Sequence, residues 1–310
     1  MAKKTMDAIQ KNLLSEIMDL EIVPEGAYNI RANGESAARH TTANIDIVTK
    51  TDKPGIDIII KPGTKNERVD IPVLLTKTGL KDLVYNDFYI GEDADVLIVA
   101  GCGIHNAGDE ETAHDGIHSF HVGKNAKLKY VEKHYGEGEG TGERVLNPTT
   151  EIEIDEGGYM EMESAQLGGV DSTVRVTRAK LADRATLVIG EKIMTHGKQT
   201  AITDFTVDLD GENCGAHVVS RSVAKDESRQ TFLSCINGNN LCSGHTECDA
   251  IIMDSARVDA IPKVAANHVQ ASLIHEAAIG KIAGEQLIKL MTLGLSEKQA
   301  EEQIINGFLR

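Results

Sequence analysis

Three groups of side chains in this sequence have the makings of a metal or thiol site. The stretch from Cys102 to His134 holds Cys102, His105, His114, Asp115, His118, His121 and His134. Gly101-Cys102-Gly103-Ile104-His105 sets a thiol and an imidazole three positions apart in what reads as a flexible turn, and His118-Ser119-Phe120-His121 adds a second close pair. Thiolate and imidazole are ligands for zinc or iron, so Cys102, His105, His118 and His121 are candidates for metal binding or sulfur relay. Their spacing matches no closed zinc motif, and the bland alternative is a solvated loop rich in histidine. The second group is Cys235, Cys242, His245 and Cys248, with Asn237-Gly238-Asn239-Asn240 reading as a turn between the first two thiols. Cys248 lies among alternating strand residues, where a buried small hydrophobe is as good a reading as a ligand. Cys242 flanks the polar turn, which favours an available thiol. The third group is His275-Glu276. Adjacent side chains on a strand point to opposite faces, so these two reach one ion only if the strand ends there. Gly280 and the helical pattern after it support such an end; without it they are an ordinary surface pair. Phosphate chemistry has no support: there is no Walker-type glycine loop, and Gly197-Lys198-Gln199-Thr200 has the wrong spacing and no hydroxyl directly after its lysine. The chain is expected to bind no nucleotide, and any ATP hydrolysis must come from another subunit.

These groups must be held by something, and the pattern of the 310 residues points to stacked strands. Ile9, Leu13, Leu14, Ile17 and Met18 share one face of an N-terminal helix, which Pro24-Glu25-Gly26 ends. From about residue 40 the period becomes two, as in Ile45, Ile47 and then Ile56, Ile58, Ile60, with Asp52-Lys53-Pro54-Gly55 and Lys61-Pro62-Gly63 as turns. A polar turn followed by a small residue and apolar residues two apart then recurs, at Asp93-Ala94-Asp95-Val96, Asn125-Ala126-Lys127-Leu128, Gly157-Gly158-Tyr159-Met160 and Arg184-Ala185-Thr186-Leu187. Later copies begin at Cys214, Ser243 and Val269. Copies roughly 26 to 32 positions apart suit one coil of a β-solenoid, in which each coil buries its apolar face only by stacking on the next. A chain with no Trp, six Tyr and five Phe suits that narrow core. Ile282, Leu287, Leu290 and Met291 then mark a helix ending at Gly294, and Ser296 with Gln299 forms a capping box for a last helix with Ala300, Ile304, Ile305 and Phe308 on its apolar side. The expected division is a helical segment and linker over 1–38, a β-solenoid over 39–276 and closing helices over 277–310.

Lys and Arg number 32 against 48 Asp and Glu, a formal charge of −16. Such a surface repels phosphate backbones, so nucleic acid is not an expected partner. No apolar run is long enough for a signal peptide or a membrane span, so a cytoplasmic protein without membrane contact is expected. In that compartment the five cysteines stay reduced, and an odd number cannot pair completely within one chain.

The stretch from Gln270 to Ile282, with His275-Glu276-Ala277-Ala278-Ile279-Gly280 at its centre, resembles the C-terminal signature of the SufB/SufD family. Thr246-Glu247-Cys248-Asp249-Ala250, Ile261-Pro262-Lys263-Val264 and the tail from Gly294 to Phe308 resemble the same family, with the likeness strongest over the last ninety or so residues. The chain looks like the compact, SufB-like type of archaea and some anaerobes. The resemblance implies a right-handed parallel β-helix capped by helices. It implies a non-catalytic scaffold on which transient iron–sulfur clusters, of the 4Fe–4S type, are assembled and passed to recipient apoproteins after a donor supplies sulfur. It further implies pairing with a second SufB/SufD-type scaffold, here expected as a homodimer, and docking of a SufC ATPase on the C-terminal helices through Leu290, Met291, Ile304, Ile305 and Phe308. His275 falls where both SufB and SufD place a functional histidine, and Glu276 on a carboxylate used by SufB. The chain departs from the pattern at Ala256, where SufB places its interface cysteine. The thiolate must then come from elsewhere, and Cys235, Cys242 or Cys248 is expected to join His275 and Glu276 as ligands.

Three other readings compete. A metalloenzyme would use His105, His118 and His121 with a carboxylate such as Glu132. A polysaccharide-acting β-helix would need aromatic platforms, which a chain without Trp does not supply. A purely structural solenoid would dock partners and hold no iron.

Overall fold

The structure, a computed structural model, describes residues 6–18 and 26–309. The Pro24-Glu25 break lies outside them. Helix α1 (Ala8–Met18) is followed by β1 (Ala27–Ala32), β2 (Glu35–His40), β3 (Ile45–Thr49), β4 (Gly55–Ile60), β5 (Lys65–Leu75) and β6 (Lys81–Ile90). The middle of the chain runs β7 (Asp95–His105), β8 (Thr112–Val122), β9 (Lys127–Glu137), β10 (Arg144–Leu146), β11 (Thr149–Ile154), β12 (Tyr159–Gly168) and β13 (Ser172–Leu181). Then come β14 (Thr186–Thr195), β15 (Thr200–Leu209), β16 (Cys214–Ala224), β17 (Arg229–Gly238), β18 (Cys242–Ile252), β19 (Arg257–Ala266) and β20 (Ser272–Gly280), before α2 (Gly284–Thr292) and α3 (Glu297–Phe308).

Two sheets result, each mostly parallel, and the chain alternates between them. One runs β2-β1-β5-β7-β9-β12-β14-β16-β18-β20 and the other β19-β17-β15-β13-β10-β8-β6-β4-β3, with β11 continuing the β10 position between β8 and β13. Strands of one coil pair with those of the next, not with their sequence neighbours, which is a β-solenoid. The corners explain the repeat. Asp93, Asn125, Gly157, Arg184 and Asn213 stack in successive coils with φ between 53° and 68°, each donating its backbone N–H to a carbonyl of the next coil. This left-handed conformation favours Gly, Asn and Asp. The residue after each, Ala94, Ala126, Gly158, Ala185 and Cys214, fills the inside of the corner. Between corners, alternate residues face a narrow core in which Phe88 and Phe120 stack at 4.4 Å.

The solenoid starts ahead of residue 39: β1 already pairs with β5, so the expected linker is part of the first sheet. At this end β2 folds back antiparallel on β1, and β3 on β4. The segment whose alternative reading was a solvated histidine loop, with a flexible turn at Gly101 to His105, is three strands, β7 to β9. The two glycines that suggested flexibility serve packing instead. Gly101 and Gly103 face outward beneath α1, and a Cβ on Gly101 would lie 2.8 Å from that of Ile17, one on Gly103 3.2 Å from that of Leu13. Leu13, Leu14, Ile17 and Met18 bury the helix there, while Ile9 remains exposed.

The other end is open. Strands β19 and β20 are the outermost of their sheets, and their inward-facing Pro262, Val264, Ala277 and Ile279 are exposed. Helix α3 covers the flank, with Ile305 and Leu309 packed on Val223 near Met194, Ile251 and Met253. Its capping box forms as expected: Ser296 Oγ accepts from the Gln299 N–H at 3.3 Å, and Gln299 Oε1 accepts from the Ser296 N–H at 2.9 Å.

Candidate functional site

Strand alternation decides which candidates meet. On β7, Cys102 points inward and His105 lies at the strand end, where its Nδ1 is 3.1 Å from Glu137 Oε1. On β8, His114 and His118 point inward and His121 outward, stacked on Tyr89 and paired with Glu153. Cys102, His114, His118, Glu132 and His134 line an interior cavity of about 20 Å³, room for one water-sized species. A single ion held by His105, His118, His121 and Glu132 is therefore ruled out, because two of those imidazoles lie outside the sheet wall that encloses the other two groups.

The cavity opens onto a hydrogen-bonded chain across the core. Asn86 Nδ2 contacts His118 Nε2 at 3.3 Å, His118 Nδ1 reaches the Tyr130 hydroxyl at 2.9 Å, and that hydroxyl donates to Glu132 Oε1 at 3.0 Å. Arg175 donates to Glu132 Oε2 at 2.6 Å and to His134 Nδ1 at 3.2 Å, and its Nε lies 3.4 Å from Glu191 Oε1. Glu191 also accepts from Thr203 at 3.0 Å and Ser220 at 2.8 Å. The donors settle the tautomers: His118 carries its proton on Nδ1, and His134 on Nε2, facing Glu132. Burial pulls the His118 value down to about 4, so that ring is neutral at pH 7, and it shifts His134 in the same direction against the pull of Glu132. Burial also works against the Glu132 charge, but His134 and Arg175 outweigh it and hold the carboxyl well below the usual range. Glu191 goes the other way: burial raises it, and Arg175, Ser220 and Thr203 offset only part. Sequence reasoning did not single out Arg175, Glu191 or Tyr130. The available signal was a charge on the same strand phase as neighbouring small residues, as in Arg175-Val176-Thr177-Arg178-Ala179, where the valine faces out.

The column continues toward the open end. Glu132, Ser164, Glu191, Ser220 and Cys248 occupy successive coils at one register position, followed by Ala277. Cys248 is thus an inward thiol, and burial together with Glu191 and Asp249 pushes it up to about 12. Burial and the charges of Asp82 and Glu132 raise Cys102 as well, making it a poor nucleophile at rest. Asp82 itself is held below the ordinary carboxylate range: burial opposes its charge, and Arg31 at 2.5 Å and His114 at 3.1 Å prevail.

Of the three candidate ligand cysteines, Cys248 alone faces the interior near His275, two positions along β18 from the residue paired with it. Cys235 faces outward on β17, bonded to Asn237 Oδ1 at 3.5 Å. Cys242 is not an available thiol beside a polar turn. It is buried next to Cys214 in the corner column otherwise filled by alanine and glycine. His275 and Glu276 separate, because β20 runs on to Gly280 instead of ending at the pair. His275 faces inward beside Thr246, half-buried, with an unbonded Nδ1 and a value lowered by burial and by His245. Glu276 faces outward, its Oε2 3.4 Å from His245 Nε2. Of the helix residues, Leu290 and Ile304 are half-buried and Met291 is exposed, whereas Ile305 and Phe308 pack into the cluster that seats α3 on the solenoid.

Known sequences resemble this chain over most of its length. Residues 86–308 match the model for the SUF system FeS cluster assembly SufBD core domain. An iron-sulfur cluster assembly SufBD family protein of Methanocaldococcus jannaschii is 29% identical over 255 residues, 81% of this chain and 79% of that protein. One from Archaeoglobus fulgidus is 33% identical over 252 residues, 80% of this chain and 66% of that protein, and one from Pyrococcus horikoshii is 27% identical over 303 residues, 95% and 84% of the two chains. A solenoid ending in helices, carrying this signature through its last coils, places the chain in the SufBD family of iron–sulfur cluster assembly proteins.

Proposed function

We propose that the chain is a cytosolic, non-catalytic scaffold subunit on which iron–sulfur clusters are built, in partnership with a SufC-type ATPase and a second scaffold. The observation that supports this best is the open end of the solenoid. Two unpaired edge strands, β19 and β20, present free backbone donors and acceptors, with an imidazole and a thiol just inside them. Such edges are templates for strand addition. Two copies joined there through a two-fold axis would continue both sheets and enclose two sets of Cys248 and His275. Thiolate from Cys248 and nitrogen from His275 would form a mixed ligand set, weaker than four thiolates and suited to a cluster that must leave. Binding iron would displace the Cys248 proton, so loading would release protons and strengthen as pH rises. The exposed face of α2, with Ile288 and Met291, and the half-buried Leu290 and Ile304 are the proposed SufC-docking surface, and the docking unit begins with α2, since the segment from residue 277 expected to be helical is still strand β20 up to Gly280.

Anaerobic reconstitution with iron and sulfide tests the ligand set. Cys248→Ser and His275→Ala should each lose most of the bound iron and its visible absorption, while Cys235→Ser and Cys242→Ser should load like the native chain. Full loading of the Cys235, Cys242, Cys248 triple serine variant would defeat the proposal. Co-expression with a SufC ATPase should yield a complex carrying iron and labile sulfide, and α2 variants with Ile288 and Met291 changed to Glu should not retain the ATPase.

A further inference from the structure

On the outer wall of the last two coils lies a second group of ligands, which takes in Glu276, turned away from the interior thiol, together with His245 and Glu247, which the expected ligand set left out. His245 and Glu247 are two apart on β18 and share its outward face. Glu276 stands directly opposite Glu247 on β20. One donor atom from each of the three lies within 4.8 Å of the others. Donors around one ion at about 2.1 Å lie up to roughly 4 Å apart, so slight side-chain rotation would close the set.

Three features separate this group from ordinary surface carboxylates. Like charges directly opposite on paired strands repel, and among the described residues neither Glu247 nor Glu276 has a Lys or Arg ion pair. His245 Nε2 is buried and makes no hydrogen bond, although Glu276 is near. The ring plane of His245 is fixed by His217, stacked on it at 4.9 Å and 4°. A preset imidazole and two unneutralised carboxylates are a donor set for a borderline divalent ion.

We propose that His245 Nε2, Glu247 and Glu276 form a mononuclear site for a first-row divalent metal ion such as ferrous iron, on the outside of the solenoid and separate from its interior thiol. The site leaves coordination positions open to solvent, so the ion is exchangeable. It does not depend on the scaffold reading, since it uses no cysteine and needs no second copy.

Cobalt(II) is the probe, added to the metal-stripped full-length chain without oxygen and followed by visible absorption and calorimetry. One saturable equivalent with ligand-field bands is expected. Glu247→Gln and His245→Ala should each weaken it by about tenfold or more. The triple cysteine-to-serine variant should bind as tightly as the native chain, whatever becomes of its cluster. Thermal unfolding supplies a readout independent of affinity. Without metal, Glu247→Gln should melt higher than the native chain because it relieves the carboxylate repulsion; with cobalt the order should reverse. Equal cobalt affinity in the native chain and a Glu247→Gln, Glu276→Gln double variant, absence of saturable binding, or loss of the site in the cysteine variant would each overturn the proposal.

Discussion

A buried arginine between two carboxylates is where single residues matter most in this chain. Arg175 neutralises Glu132 and faces Glu191 with almost no solvent access. Removing one member of a buried ion pair leaves the other charge uncompensated, at a cost of about 3–5 kcal/mol. Arg175→Met should therefore lower stability by that order in denaturant titration, and adding Glu132→Gln to it should restore part of the loss. His118 predicts the acid response. Its value is about 4 in the folded chain against 6.5 ordinarily, so between those values the unfolded chain binds more protons. Stability from this ring is complete above pH 6.5 and is lost as pH falls toward 4, by about 3 kcal/mol in all. His118→Gln should flatten the slope of unfolding free energy across that window. Thiol chemistry separates the cysteines in the same way. Iodoacetamide at pH 8 should label native Cys235 well before Cys102, Cys214 or Cys248, as peptide mass mapping would show, since the other three are buried.

Elements of the fold were more legible in the sequence than the site was. The corner residues announce themselves, because a left-handed backbone is read directly as Asp, Asn or Gly ahead of a small residue. The helices and their capping box follow from spacing in the same way. Inward and outward phase is harder. Val174 and Val176 look like core beside Arg175, yet stacking in register with β15 turns them out and the arginine in. Cys242 looks available next to a polar turn, yet it fills a corner that other coils give to alanine. Gly101 and Gly103 suggested a loop, and their real constraint is a helix that only the folded chain brings near. A methyl or larger group there has nowhere to go, so Gly101→Val should destabilise the chain by about 1–3 kcal/mol. Amide hydrogen exchange would detect the effect as lost protection in α1, with the coils beyond β9 unchanged.

For the whole molecule, association is the governing question. The chain carries a formal charge of −16, so two copies repel at long range. Added salt screens that repulsion and should tighten the proposed self-association, while Val264→Lys or Ile279→Lys at the open end should abolish it. Light scattering coupled to size-exclusion chromatography reads both.

The hairpins at β1–β2 and β3–β4 bear on what such association can build. A rod with identical sticky ends polymerises without limit, as fibrils do. Here the first strands turn back antiparallel while the last ones run parallel to their neighbours, so the two ends of the stack are not alike. The pairing proposed above uses only the end without a reversed strand, so it joins like to like and not one end to the other.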